Sequence, residues 1–116
     1  MHSIDERFIS IRKEIQSRIF IVEILRMSNG CFVSVSEDSK PRIALVTLSI
    51  STGDQVRTSS LLPERRGSLF SATIGEILAR KTNGVVLASV YLREEIDHEI
   101  MKTLINEIDK MLPGRT

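Results

Sequence analysis

Leu78-Ala79-Arg80-Lys81-Thr82-Asn83-Gly84, followed at once by Val85-Val86-Leu87-Ala88-Ser89-Val90-Tyr91-Leu92, is the stretch on which the reading of this fold turns. The helix leading into it carries Phe70, Ile74, Ile77 and Leu78 at i, i+4, i+7 and i+8, which puts all four on one face. Arg80 and Lys81 fall in its last turn, where positive charge suits the exposed carbonyls. Asn83 and Gly84 tolerate the left-handed backbone of a helix end. The strand that follows is apolar on both faces as far as Ser89, so each face needs a cover. A chain of 116 residues has little left with which to supply two covers.

Working outward, residues 4–15 alternate Phe8, Ser10 and Arg12 against Ile9 and Ile11, as an edge strand does. Residues 19–27 are rich in β-branched side chains and read as a strand. Ser28-Asn29-Gly30 is a hairpin signal, with Asn-Gly suited to a type I′ turn, and residues 31–36 form the return strand. A polar loop with Pro41 leads to a strand over 43–50, a turn at Ser51-Thr52-Gly53-Asp54 and a weaker strand over 56–62 that Pro63 ends. A charged loop then opens the helix near 68–82. Beyond the buried strand, a second amphipathic helix spans about 94–111, with Ile96, Ile100, Met101, Leu104, Ile105, Ile108 and Met111 along one stripe, and Pro113-Gly114 stops it. The order predicts one α+β domain over residues 1–116, with a five- to six-stranded, mostly antiparallel sheet and two helices on one face.

The hairpin assigns the faces. A two-residue turn at Asn29-Gly30 pairs Met27 with Phe32, Leu25 with Ser34 and Glu23 with Ser36. One face then carries Phe20, Val22, Ile24, Arg26, Cys31, Val33 and Val35, and the other Ile19, Ile21, Glu23, Leu25, Met27, Phe32, Ser34 and Ser36. The first is a core face beneath the helices. The second mixes large apolar residues with a carboxylate and serines, the composition of a protein–protein interface. Burying each large side chain contributes about 1.5–3 kcal/mol, and leaving Ile19, Ile21, Leu25, Met27 and Phe32 open together makes a patch that soluble monomers seldom carry. These five are the predicted partner-binding residues.

Composition narrows the function. Sixteen basic and fifteen acidic residues give a formal net charge of +1, which creates no global field for nucleic acid or an anionic membrane. Cys31 is the only cysteine, so neither an intrachain disulfide nor a cysteine-based metal cluster can form, and a reducing compartment is expected. Asp5, Glu6 and Arg7 interrupt any apolar leader. These features predict a soluble, intracellular protein.

No catalytic constellation stands out. His2 lies at the terminus, and His98 reads as a surface residue on the second helix. His-x-x-x-His, Cys-x-x-Cys and Gly-x-Ser-x-Gly are all absent from the sequence, and Gly67-Ser68 reads as a plain helix N-cap rather than a phosphate loop. Cys31 is expected to be a small buried apolar residue. Arg65-Arg66 and Arg80-Lys81 read as solvated charge at helix ends. The prediction is a binding protein with no cofactor and no metal, not an enzyme.

The segment 72–83 and the strand after it resemble the proteasome assembly chaperone 4 family, whose helix ends in the same Leu-Ala-Arg-Lys-Thr-Asn string. Leu25-Arg26-Met27-Ser28-Asn29-Gly30-Cys31-Phe32-Val33 is similar to the family's hairpin. Ala44-Leu45-Val46 and Thr58-Ser59-Ser60-Leu61-Leu62 look like its following strands. Ser34 and Ser36, and the basic loop at 63–68, depart from the family's pattern. The resemblance implies a non-catalytic chaperone that pairs through its sheet with a related small chaperone, proteasome assembly chaperone 3. The pair would help arrange α-type subunits of the 20S proteasome into a ring. If the sheet face is taken by that partner, the client surface falls on loops and helix ends, with Glu64, Arg65 and Arg66 as candidates. The alternative is a roadblock- or longin-like dimeric scaffold subunit of trafficking or signalling, although such platforms place a long helix among their first strands.

Overall fold

The computed structural model describes residues 7–38, 40–62 and 66–112. Its elements in chain order are β1 (Phe8–Ile15), β2 (Arg18–Met27), β3 (Gly30–Ser36), β4 (Leu45–Ser51), β5 (Val56–Leu62), α1 (Ser68–Thr82), β6 (Val85–Tyr91) and α2 (His98–Met111). The strands form one six-stranded sheet in the order β1-β2-β3-β6-β4-β5. Neighbours run antiparallel except β3 and β6, which are parallel. The α+β fold is therefore as predicted, and the strand that decided the reading is the one that joins the two halves of the sheet.

The join rests on glycine. α1 ends with Asn83 in the left-handed conformation at φ 51°, where its N–H donates to the Arg80 carbonyl at 3.3 Å and that of Gly84 to the Ala79 carbonyl at 3.1 Å. This is the paired closure of a Schellman helix end. Gly84 then runs between the two halves. Its carbonyl accepts the Ser51 N–H at 2.9 Å, while the next N–H, that of Val85, donates to the Asn29 carbonyl at 2.8 Å. A Cβ on Gly84 would lie 2.0 Å from the Asn29 carbonyl oxygen, and one on Gly30 would lie 1.7 Å from the Val85 oxygen. Only glycine fits at either position.

That contact explains a difference from the predicted hairpin. Met27 pairs with Gly30 and Leu25 with Phe32, so the two-residue loop is Ser28-Asn29 rather than Asn29-Gly30. Gly30 belongs to β3 because β6 presses against it. The register slides by two residues, and since side chains repeat every two, each stays on its predicted face. Positive φ at two successive residues, as a type I′ turn requires, occurs instead at Gln16 (53°) and Ser17 (63°), between β1 and β2.

Element ends shift elsewhere as well. β1 begins at Phe8, residues 4–6 lying outside the described part, β4 begins at Leu45 rather than 43, and β6 ends at Tyr91 rather than 92. α2 begins at His98 rather than near 94, because Asp97 caps it by accepting the Ile100 N–H at 2.8 Å. At α1 the cap is Gly67, with no side-chain bond to the helix.

Both helices lie over one face. Phe20, Val22, Ile24, Val33 and Val35 of β2 and β3 share a core with Val86, Ala88 and Val90 of β6. Phe70, Ile74 and Leu78 of α1 and Ile100, Leu104 and Ile108 of α2 close it. Ile77 is only half-buried. In the stripe it was expected to complete, the small residues Ser71, Gly75 and Ala79 are buried instead and bring α1 close to β4. The Ser71 and Thr47 hydroxyls hydrogen-bond at 2.9 Å, and a Cβ on Gly75 would lie 2.3 Å from Ser49 Oγ.

A largely buried ion pair fastens the β2–β3 hairpin to the β6–α2 connection. The Arg18 guanidinium donates to Glu37 through Nε at 2.7 Å and Nη2 at 2.6 Å, and also reaches the Glu94 and Glu95 carbonyls at 2.9 and 3.0 Å. Glu37 accepts the Arg93 N–H at 2.9 Å as well. Burial pushes the Glu37 carboxyl up, but the hydrogen bonds from Arg18 and Arg93 outweigh it and hold the group below its usual range.

Two outcomes are expected. Gly84→Ala, which is harmless to an ordinary strand end, should destabilise the chain by about 1–3 kcal/mol in chemical unfolding, because the backbone on both sides is fixed. Glu37→Ala should cost about 1.5–3 kcal/mol at neutral pH, since it removes charge-assisted hydrogen bonds and leaves the partly buried Arg18 only the Glu94 and Glu95 carbonyls. Because the folded carboxyl sits low, the wild type keeps this contribution above the ordinary carboxylate range and loses it as pH falls through the lowered value. Urea midpoints measured from pH 7 downward should therefore fall more steeply for the wild type than for Glu37→Gln.

Candidate partner-binding surface

The strand pairings lay the uncovered face out in rows. One row runs Phe8, Leu25, Phe32, Leu87 and Leu48 across β1, β2, β3, β6 and β4, and reaches Ser59 on β5. The next runs Ser10, Glu23, Ser34, Ser89 and Val46 to Leu62. On the other side of the apolar row, Met27, Gly30, Val85 and Ile50 stand in line. The face is thus an apolar band bordered on one side by a polar row.

All five predicted partner-binding residues lie here. Met27 and Phe32 are 47% and 46% exposed, and Ile19, Ile21 and Leu25 are half-buried by their neighbours alone. Phe8 is 51% exposed on the same face. Side chains of that size at such exposure, in continuous rows, form the kind of patch that marks an interaction surface. Phe8, Leu48, Ile50 and Leu87 are additions to the predicted set. Their alternation was visible in the sequence, but only the strand order shows that they join Leu25 and Phe32.

Two residues differ from the burial expected of their face. Ser36, expected on the open face, is fully buried, with its hydroxyl accepting the Arg42 N–H at 2.9 Å. Arg26, placed on the core face, is exposed at the end of β2, beside Lys81 and Thr82 at the end of α1. The Arg42 guanidinium lies 5.2 Å over the Tyr91 ring, where cation and ring face attract.

A concavity of about 250 Å³ interrupts the open face. Leu25, Phe32, Ile43, Val46 and Leu87 line it, and Glu23 sits at its wall. Ile43 stands 77% exposed on the loop before β4. The Glu23 carboxylate accepts a hydrogen bond from Ser10 Oγ at 3.5 Å, at the limit of useful length.

Of the predicted client residues, Glu64 and Arg65 lie outside the described residues. Arg66 is described, and its guanidinium is engaged within the chain, donating to the Leu92 and Arg93 carbonyls at 3.1 and 2.7 Å. The cations at the end of α1 are paired too, Arg80 with Glu76 at 3.2 Å and Lys81 with Asp109 at 2.6 Å. Cys31 is buried, and burial pushes its thiol up to about 11, so it packs as a small apolar group. His98 is exposed at the start of α2. Among the described residues, no three His, Cys, Asp or Glu side chains are grouped to hold a metal ion, and no helix is long and apolar enough to cross a membrane.

No protein-family model and no curated protein matches the chain. Among solved structures, the fold is similar to that of a chain in the crystal structure of a novel chaperone complex for yeast 20S proteasome assembly. The match has a TM-score of 0.65 at 13% identity and covers 92% of this chain and 99% of that one. At this identity the likeness is one of fold: the two chains share a backbone arrangement over almost their whole lengths.

Proposed function

We propose that this chain is a subunit of a proteasome-assembly chaperone. It binds a related small chaperone through the open sheet face, as proteasome assembly chaperone 4 would bind chaperone 3, and the heterodimer promotes formation of the 20S proteasome α-subunit ring. The observation that carries the reading is the apolar band of Phe8, Leu25, Phe32, Leu87 and Leu48, which crosses five of the strands with none of the described elements over it. The likeness of the whole fold to a chain of a yeast 20S proteasome assembly chaperone complex supports it. So does the order of five strands before any helix, which a roadblock or longin platform does not have.

The role needs binding energy and no catalysis. Such a chaperone holds a ring subunit in a pose that favours the correct neighbour over a wrong one. With the sheet face taken by the partner, the α-type subunit meets loops and helix ends, and a later assembly contact that overlaps this site releases the chaperone. In this reading the protein works in the cytoplasm, with the nucleus as a second compartment.

The test is a charge set into the band. Leu25→Asp or Phe32→Asp leaves the core untouched and should fold with an unchanged circular dichroism spectrum. Either variant should lose both the second small chaperone and the α-type subunits that co-purify with the tagged wild type from native cells. Retention of both partners at wild-type level by both variants would refute the assignment of the face.

A further inference from the structure

Glu23 is misplaced for a surface that only buries hydrocarbon. It stands at the wall of the concavity, beside Leu25, Phe32 and Leu87, and among the described residues its hydrogen bond is the 3.5 Å one from Ser10. The cations on this face lie elsewhere. Arg12 pairs in register with Ile21, a diagonal step from Glu23, and makes no ion pair with it among the described residues. Arg57 stands opposite Ile50 on the edge strand β5, and Arg42 rests on Tyr91. While the face is open, water solvates the carboxylate. Once a second sheet closes over it, the water leaves, and an unpaired buried carboxylate opposes docking strongly.

The concavity shows what can relieve this. Its walls are apolar and its polar end is Glu23 with Ser34 and Ser89, the carboxylate being the one charge in the lining, which suits a side chain with a hydrocarbon stem and a cationic head. The Phe32 ring adds a face on which such a head can rest. From this geometry we infer that the partner inserts an arginine or lysine into the concavity, stem against Leu25, Phe32 and Leu87, head on Glu23. This residue pair selects the partner: a sheet without a cation in that position leaves the desolvation of Glu23 unrelieved. The inference rests on the reading of the open face as an interface and adds the chemistry of what fills it.

The probe is the small subunit that co-purifies with the tagged wild type, then expressed and purified alone and titrated against variants by calorimetry. Glu23→Gln should weaken binding by about tenfold or more. Glu23→Lys should abolish it, and changing the facing arginine or lysine of the partner to glutamate should restore it. Unchanged or tighter binding by Glu23→Gln, while Leu25→Asp still disrupts the complex, would overturn the inference and leave the interface standing. Insensitivity to Leu25→Asp would remove the interface itself. A homodimer of this chain as tight as the complex, and equally sensitive to Leu25→Asp, would overturn the assignment to a distinct partner.

Discussion

The sheet depends on one backbone contact. Asn29 and Gly30 on one side and Gly84 and Val85 on the other approach so closely that neither glycine can carry a Cβ. Through that contact β6 pairs with β3, and through its other edge with β4, so two antiparallel units become one layer. The helix end upstream fixes the point at which the strand begins. Asn83 turns the chain out of α1 and leaves Gly84 facing the Asn29 carbonyl. Backbone conformation, steric room and strand pairing are all settled within two residues.

Joining the halves makes the layer lopsided. α1 and α2 both lie over the face that carries Phe20, Val22 and Ile24. The reverse side receives the alternate residues of all the strands, and each row of that side draws a residue from every strand it crosses. No single hairpin makes a patch large enough to matter. The band from Phe8 to Leu48 exists because β6 brings Leu87 between Phe32 and Leu48. Tertiary topology, more than the composition of any segment, creates the surface.

Much of this was legible in the sequence because it rests on period and on helix punctuation. The stripe on α2 and the face assignment of β2 and β3 follow from side-chain spacing alone, and the faces survived an error of two residues in register because the pleat repeats every two. What was not legible depends on residues distant in sequence. Gly30 looked like half of a turn because nothing local announces that Val85 will press against it. Gln16 and Ser17 take the positive φ values of a turn without the glycine or asparagine that signals one. Glu37 looked like part of a polar loop, since its partner Arg18 lies beyond a whole strand pair. Leu48 and Leu87 could be read as strand residues, but their membership in one band needed the strand order.

The late position of β6 in the chain has a bearing on biosynthesis. As a polypeptide emerges from the ribosome, the first hairpin and the β4–β5 hairpin appear early, yet neither has its central neighbour until residues 85–91 have cleared the exit tunnel. Until then the edges of β3 and β4 that β6 will join stay unpaired, and the apolar band has no continuous form. Whatever docks on this face therefore meets it only after β6 has joined the sheet.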